Sequence, residues 1–130
     1  MFVLDTNTLI YFFKGEGNVG ERLLSKSPKE IAIPSIVLYE LETGIRKSNY
    51  PSKRITQLKN LTSIIKILPF GIEEAQISAK IRAELEQKGT PIGPYDILIA
   101  GITLYNNGTL VTRNLKEFKR VDGLLAENWY

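Results

Sequence analysis

The chain has 130 residues, 43% hydrophobic and 24% charged, the proportions of a soluble globular protein with one ordinary core, so one domain over residues 1–130 is expected. It contains neither Cys nor His, which excludes disulfides, thiolate chemistry, ordinary zinc sites, Ser-His-Asp triads and imidazole acid–base catalysis. A net charge of +3 permits a polyanionic partner without requiring one, while the lack of an apolar run of about 18 residues or of a secretion signal leads us to expect a cytoplasmic protein with no membrane role.

Short β-like runs alternate with longer helical patterns. Phe2 to Asp5 reads as a buried strand and Thr6 to Phe13 as a helix capped by Asp5 or Thr6. After the break Gly15-Glu16-Gly17-Asn18, a short helix runs from Val19 to Lys26, and Glu30 to Ile33 is a strand closed by Pro34. Ser35 is the expected N-cap of a helix over Ile36 to Arg46. Ser52 to Ile65 carries Ile55, Leu58, Leu61 and Ile65 on one helical face. Ile67 to Phe70 is a strand that Pro69 places near its end or at a sheet edge. The longest helix spans Ile72 to Lys88, with Ile72, Ala75, Ala79, Ile81 and Leu85 as its expected apolar face and Gly89 as its stop. The helix from Gly93-Pro94 to Asn106 is apolar all round and therefore central. Thr109 to Thr112 is a strand, Asn114 to Phe118 a turn or helix start, and Leu124-Leu125 a last short strand.

This alternation implies an α/β fold with a parallel sheet covered on both faces, and in such sheets sites form at the carboxyl ends of the strands. Most of the 14 acidic residues fall on charged helix faces. Asp5 directly follows the first strand, where it serves as an N-cap or as a site carboxylate. Asp96 occupies the first turn of the apolar helix, a place that also suits the helix dipole. Glu40 and Glu42 flank the stripe Val37, Leu38, Leu41 and Ile45 symmetrically, so periodicity does not choose between them, but Gly44 leaves space one turn from Glu40. Asn114 lies just past a strand end, as a turn residue or a site group. Carboxylates gathered at one edge without imidazole or thiolate repel one another unless protonated or offset by a cation. Oxygen-only ligands suit Mg²⁺ or Mn²⁺, and the chemistry that fits is metal-assisted phosphodiester hydrolysis.

Four stretches in order, Asp5-Thr6-Asn7, Glu40-Leu41-Glu42-Thr43-Gly44, Ile92 to Gly101, and Leu110-Val111-Thr112-Arg113-Asn114 leading to Glu117-Phe118, resemble the PIN-domain ribonucleases, specifically the VapC toxins of bacterial toxin-antitoxin pairs. The resemblance covers nearly the whole chain. It implies a three-layer α/β/α fold with a mainly parallel sheet of about five strands, Mg²⁺-dependent endoribonuclease activity with Mn²⁺ as a substitute, inhibition by a cognate antitoxin, and a homodimer. Carried over by position, it makes Asp5 and Asp96 the metal ligands, Glu40 a third acidic member and Asn114 the fourth catalytic position, with Asn7 and Thr112 supporting the carboxylates by hydrogen bonds. Asn114 stands where relatives carry Asp or Asn and adds no negative charge, which puts a second metal in doubt. The stretches Gly93-Pro94-Tyr95-Asp96 and Arg120 to Leu124 resemble the subgroup that cleaves initiator tRNA. Arg46, Lys47, Lys53, Arg54, Arg113, Lys116, Lys119 and Arg120 are phosphate-contact candidates or solvated surface.

Two other readings remain open at this level. Asn114 motivates a catalytically weak PIN-like module that binds RNA or protein without cutting it. An aspartyl phosphotransfer domain using Asp5 is disfavoured because Asn7 stands where a second Asp is expected.

Overall fold

In the computed structural model, which describes residues 1–130, the chain enters the core at once. Strand β1 (Phe2–Leu4) has Val3 and Leu4 fully buried, and helix α1 (Thr6–Lys14) leaves directly from its end. Helix α2 (Val19–Leu24) and a 3₁₀ turn (Pro28–Glu30) lead to β2 (Ile31–Pro34). Then follow α3 (Ser35–Arg46), α4 (Pro51–Thr62), β3 (Lys66–Leu68), α5 (Ile72–Gln87), α6 (Pro94–Tyr105), β4 (Thr109–Val111), α7 (Leu115–Phe118) and β5 (Leu125–Glu127).

The five strands form one sheet in the order β3-β2-β1-β4-β5, every pair parallel. This is the expected three-layer α/β/α arrangement, and burial of the inner strands on both faces explains their uninterrupted apolar runs. The chain builds outward from β1 through β2 to β3, then returns across the sheet to β4 and β5. Its topological switch point therefore lies at β1 and β4, where a crevice opens beyond the carboxyl ends. Register aligns Leu4 with Val111, so Asp5 and Thr112 emerge side by side. β3 is an edge strand ending just before Pro69, as that proline requires.

Three local expectations are corrected. Ser35 is the first residue of α3, preceded by Pro34, and its side chain makes no capping bond, because β2 runs without a break into the helix. The final strand begins at Leu125 rather than Leu124 and extends to Glu127. The inward face of α5 is Glu74, Ser78, Ile81 and Leu85, whereas Ile72, Ala75 and Ala79 are exposed. The cause is close packing on α6. A Cβ at Gly101 would overlap the Ser78 hydroxyl and lie 3.2 Å from the Ser78 backbone nitrogen. Two helices that approach this closely turn small residues toward each other, and apolar periodicity does not register them. The central placement of α6 holds: Ile97, Ile99, Ala100, Gly101, Ile102 and Thr103 are buried.

Candidate active site

Asp5 caps a helix and stands at the carboxyl edge of the sheet. It is the N-cap of α1, with extended φ −81° and ψ 173°, and its Oδ1 accepts the Thr8 backbone N–H at 2.9 Å. Its own N–H donates to Val111 O at 3.2 Å, which holds the residue at the end of the sheet. Only 6% exposed, the carboxyl has a pKa raised by burial, a shift opposed by hydrogen bonds from Thr112 and Thr8. Thr112, completely buried, also accepts the Asn114 N–H on Oγ1 at 3.0 Å. It thus ties the end of β4 to the Asp5 carboxyl, the supporting role its position implies.

Asp96 lies in the first turn of α6, after Pro94, and is half-buried. Its pKa is pushed up to about 6, first by desolvation, then by Asp5, Glu117 and Glu40 in that order. Three other carboxylates therefore act on Asp96 together. Glu40 reaches this edge from α3, where its Oε1 accepts the Thr6 Oγ1–H at 2.7 Å. Gly44 has nothing within 4 Å of where its Cβ would stand, and a cavity of about 260 Å³ opens there beside Glu40. The space inferred from Gly44 is present.

Glu117, in α7, is the member that a residue-by-residue reading leaves out. It ranks next after Asp5 among the charges acting on Asp96, and its Oε2 accepts the Asn114 side-chain N–H at 2.8 Å. Asn114 is exposed and reaches the cluster by holding Glu117. The signal available in the sequence was the spacing of three between an amide and an acid at the start of a helix. Asn7 is corrected: it is exposed and bonds to none of the carboxylates. One residue earlier on α1, Thr6 faces Glu40 instead. Tyr39 and Tyr95, each the neighbour of a site carboxylate, meet edge to face with centroids 5.8 Å apart, and the Tyr95 hydroxyl pKa is raised foremost by its hydrogen bond with Tyr39.

No cation offsets this cluster. The ion pairs of the molecule are Arg82–Glu86 and Lys88–Asp122, both on exposed surface away from these carboxylates. No three acidic side chains close on a common point as a ready cage. Neighbouring, partly buried carboxylates with no basic partner suit a hard divalent cation that retains several waters, the binding habit of Mg²⁺. The largest cavity, about 530 Å³ between α1, α2 and α4, is lined by residues such as Phe13, Leu23 and Leu61 and contains none of the four acids. The carboxylates thus gather at the sheet edge and not in the most spacious hollow.

Fold and site together describe an α/β domain with a cluster of carboxylates at the switch point of a parallel sheet. The PIN domain family model matches residues 2–124. The chain is 37% identical over 128 residues, 98% of its length and 97% of the relative's, to the tRNA(fMet)-specific endonuclease VapC of Salmonella typhimurium. It is 39% identical to Ribonuclease VapC2 of Rickettsia felis, covering 99% of this chain and 98% of that one. The crystal structure of VapBC2 from Rickettsia felis bound to a promoter DNA fragment superposes with a TM-score of 0.91 at 38% identity, over 99% and 98% of the two chains. DNA-bound VapBC from Salmonella typhimurium gives the same score. This chain belongs to the PIN-domain family, in its VapC branch. No helix is long and apolar enough to cross a membrane.

Proposed function

We propose that this chain is the toxin of a toxin–antitoxin pair, an endoribonuclease that hydrolyses phosphodiester bonds in structured RNA, initiator tRNA foremost, with Mg²⁺ as its cofactor and Mn²⁺ as a substitute. The observation that carries the reading is the half-buried Asp96, with its pKa pushed up to about 6 among three further carboxylates that no Lys or Arg pairs. A polyanion does not approach such a cluster unaided. A divalent cation, when bound, supplies the positive charge that phosphodiester hydrolysis needs at its nucleophile and phosphate.

In this reading Asp5 and Asp96 hold the cation. Asp5 is suited to the task because its backbone is pinned to β4 and its side chain to the start of α1. Asp96 binds a proton near pH 6 in the absence of the cation and releases it on loading. Thr6 leaves one Glu40 oxygen free to orient water or ligand while occupying the other. Glu117, aligned by Asn114, adds the negative charge that Asn114 itself lacks. That arrangement favours cleavage over the non-cutting module which Asn114 alone suggested. The similarity to VapBC complexes supports a cognate antitoxin as the inhibitory partner, and a cytoplasmic homodimer completes the proposal.

The test is incubation of purified protein with an initiator tRNA transcript and Mg²⁺. Discrete cleavage that chelation stops, and that Asp5→Asn removes, is the expected result. Cleavage equal in the Asp5→Asn protein, or none with Mg²⁺ or Mn²⁺, overturns it. Co-expression with the small open reading frame beside the gene should relieve growth arrest, and arrest that persists contradicts the inhibitor assignment.

A further inference from the structure

Arg113 is held in a bracket of two aromatic rings. Its guanidinium carbon lies 3.7 Å from the Tyr130 ring centroid and 5.6 Å from that of Tyr11. The two rings meet edge to face at 4.8 Å with planes at 76°. Further contacts fix this assembly. Asn18 donates both its backbone N–H, at 3.0 Å, and its side-chain N–H, at 3.1 Å, to Tyr130 O. Gly17, at φ +62°, admits the Tyr130 ring so closely that a Cβ there would lie 2.9 Å from it. The guanidinium is exposed, donates to the Tyr11 and Tyr130 hydroxyls, and pairs with no carboxylate, so only its remaining N–H groups are open.

In the chain it stands between two residues that are bonded to the carboxylate cluster. Thr112, on one side, bonds to Asp5, and Asn114, on the other, holds Glu117. Two other arginines are held by different partners. Arg120 is occupied with Pro91 O at 3.0 Å, and Arg54 with Gln57 at 3.0 Å and Phe13 O at 3.4 Å. A guanidinium stacked on aromatic faces has already lost much of its rotamer freedom, while its remaining N–H groups stay available for bidentate contact with phosphate. From this geometry we propose that Arg113, bracketed by Tyr11 and Tyr130, is a preset phosphate clamp that grips the RNA backbone beside the carboxylates and offsets their repulsion of the substrate. Arg113 is a positioning residue for the substrate and takes no part in the chemical step. The inference rests on the ribonuclease reading above.

The test is binding of a labelled initiator tRNA transcript by the whole chain in EDTA, where nothing is cut, across a range of salt. Arg113→Ala should weaken binding roughly five- to tenfold at low salt and reduce the slope of log affinity against log salt by about 1. Arg113→Lys should keep the wild-type slope, because the charge survives, yet bind more weakly because ammonium makes no fork. Tyr130→Leu should do the same by freeing the guanidinium. Thermal midpoints recorded alongside separate these effects from loss of fold, and Arg113→Gln serves if the alanine variant is unstable. Equal affinity and slope in wild type and in a folded Arg113→Ala or Arg113→Gln protein overturns the clamp while leaving the ribonuclease reading intact. Wild-type protein that neither binds nor cuts the tRNA removes both.

Discussion

At the carboxyl edge of the sheet and at the seam between α5 and α6, acidic groups are buried to a similar degree, Asp5 being 6% and Glu74 4% exposed. Their surroundings differ. Glu74 sits in the first turn of α5, and its Oε1 accepts the Gly71 N–H at 3.2 Å, a contact local to its own helix. Ser78, beside it, leaves only a hydroxyl unpaired. Asp5 also caps a helix, yet it acts on Asp96, whose pKa is pushed up to about 6 by desolvation and then by Asp5, Glu117 and Glu40. The seam holds its buried carboxylate by a hydrogen bond and leaves a single neutral hydroxyl over. The edge buries charge that remains unbalanced until something positive arrives, and that imbalance distinguishes a binding site from a packing solution.

Substitution should separate the two regions sharply. Asp5→Asn and Asp96→Asn should each lower RNA cleavage by about 100-fold or more, without lowering the thermal midpoint of the metal-free protein, because each removes a desolvated charge. A large fall in that midpoint would mean that the carboxylates are structural. The seam should behave in the opposite way. Gly101→Ala should leave cleavage per folded molecule unchanged and destabilise the fold by about 1–3 kcal/mol. Overlap with Ser78 outweighs the helix propensity of roughly 1 kcal/mol gained. Adding Ser78→Ala should recover part of that loss, since the hydroxyl is the nearest obstacle, and strict additivity in a denaturant titration would contradict the contact.

Smaller effects refine the contrast. Thr6→Val removes the hydroxyl that holds Glu40, so kcat should fall about tenfold with little change in melting. The pH dependence has a definite sign. A carboxyl whose pKa rises from 3.8 to about 6 on folding binds more protons in the folded state over that interval. Its stabilising contribution is complete below about pH 4 and is lost as pH climbs through about 6. Metal-free protein should therefore melt lower at pH 7 than at pH 5, and Asp96→Asn should flatten that difference. A wild-type profile as flat as the variant's would place Asp96 in open solvent.

Much of this was readable before any coordinate. The alternation of short apolar runs with amphipathic helices implied the parallel sheet, and the all-round apolar Ile97–Leu104 stretch marked the central helix. Asp5 and Asp96 were reachable because strand ends and helix starts in such a fold gather at one edge, whereas Glu40, in mid-helix, was distinguished from Glu42 only by the space that Gly44 leaves. What escaped has a common physical origin, because which neighbour a side chain turns toward depends on tertiary approach. Thr6 rather than Asn7 meets the carboxylates because α1 presents that side to α3. Glu117 enters through a bond from Asn114 that pattern alone does not show. The face of α5 shifted because Gly101 lets two helices come close enough for small residues to define the contact.

The proposed cation site at the sheet edge, assembled from Asp5 and Asp96, is open to direct measurement. Titration of the protein with Mn²⁺, followed by calorimetry and by loss of the free-ion electron paramagnetic resonance signal, addresses it without RNA and without catalysis. The account predicts saturable binding whose affinity rises with pH up to about 6, as Asp96 gives up its proton, and then levels, with marked loss in both Asp5→Asn and Asp96→Asn. Binding that is absent, independent of pH across that range, or unchanged in the two variants would contradict it.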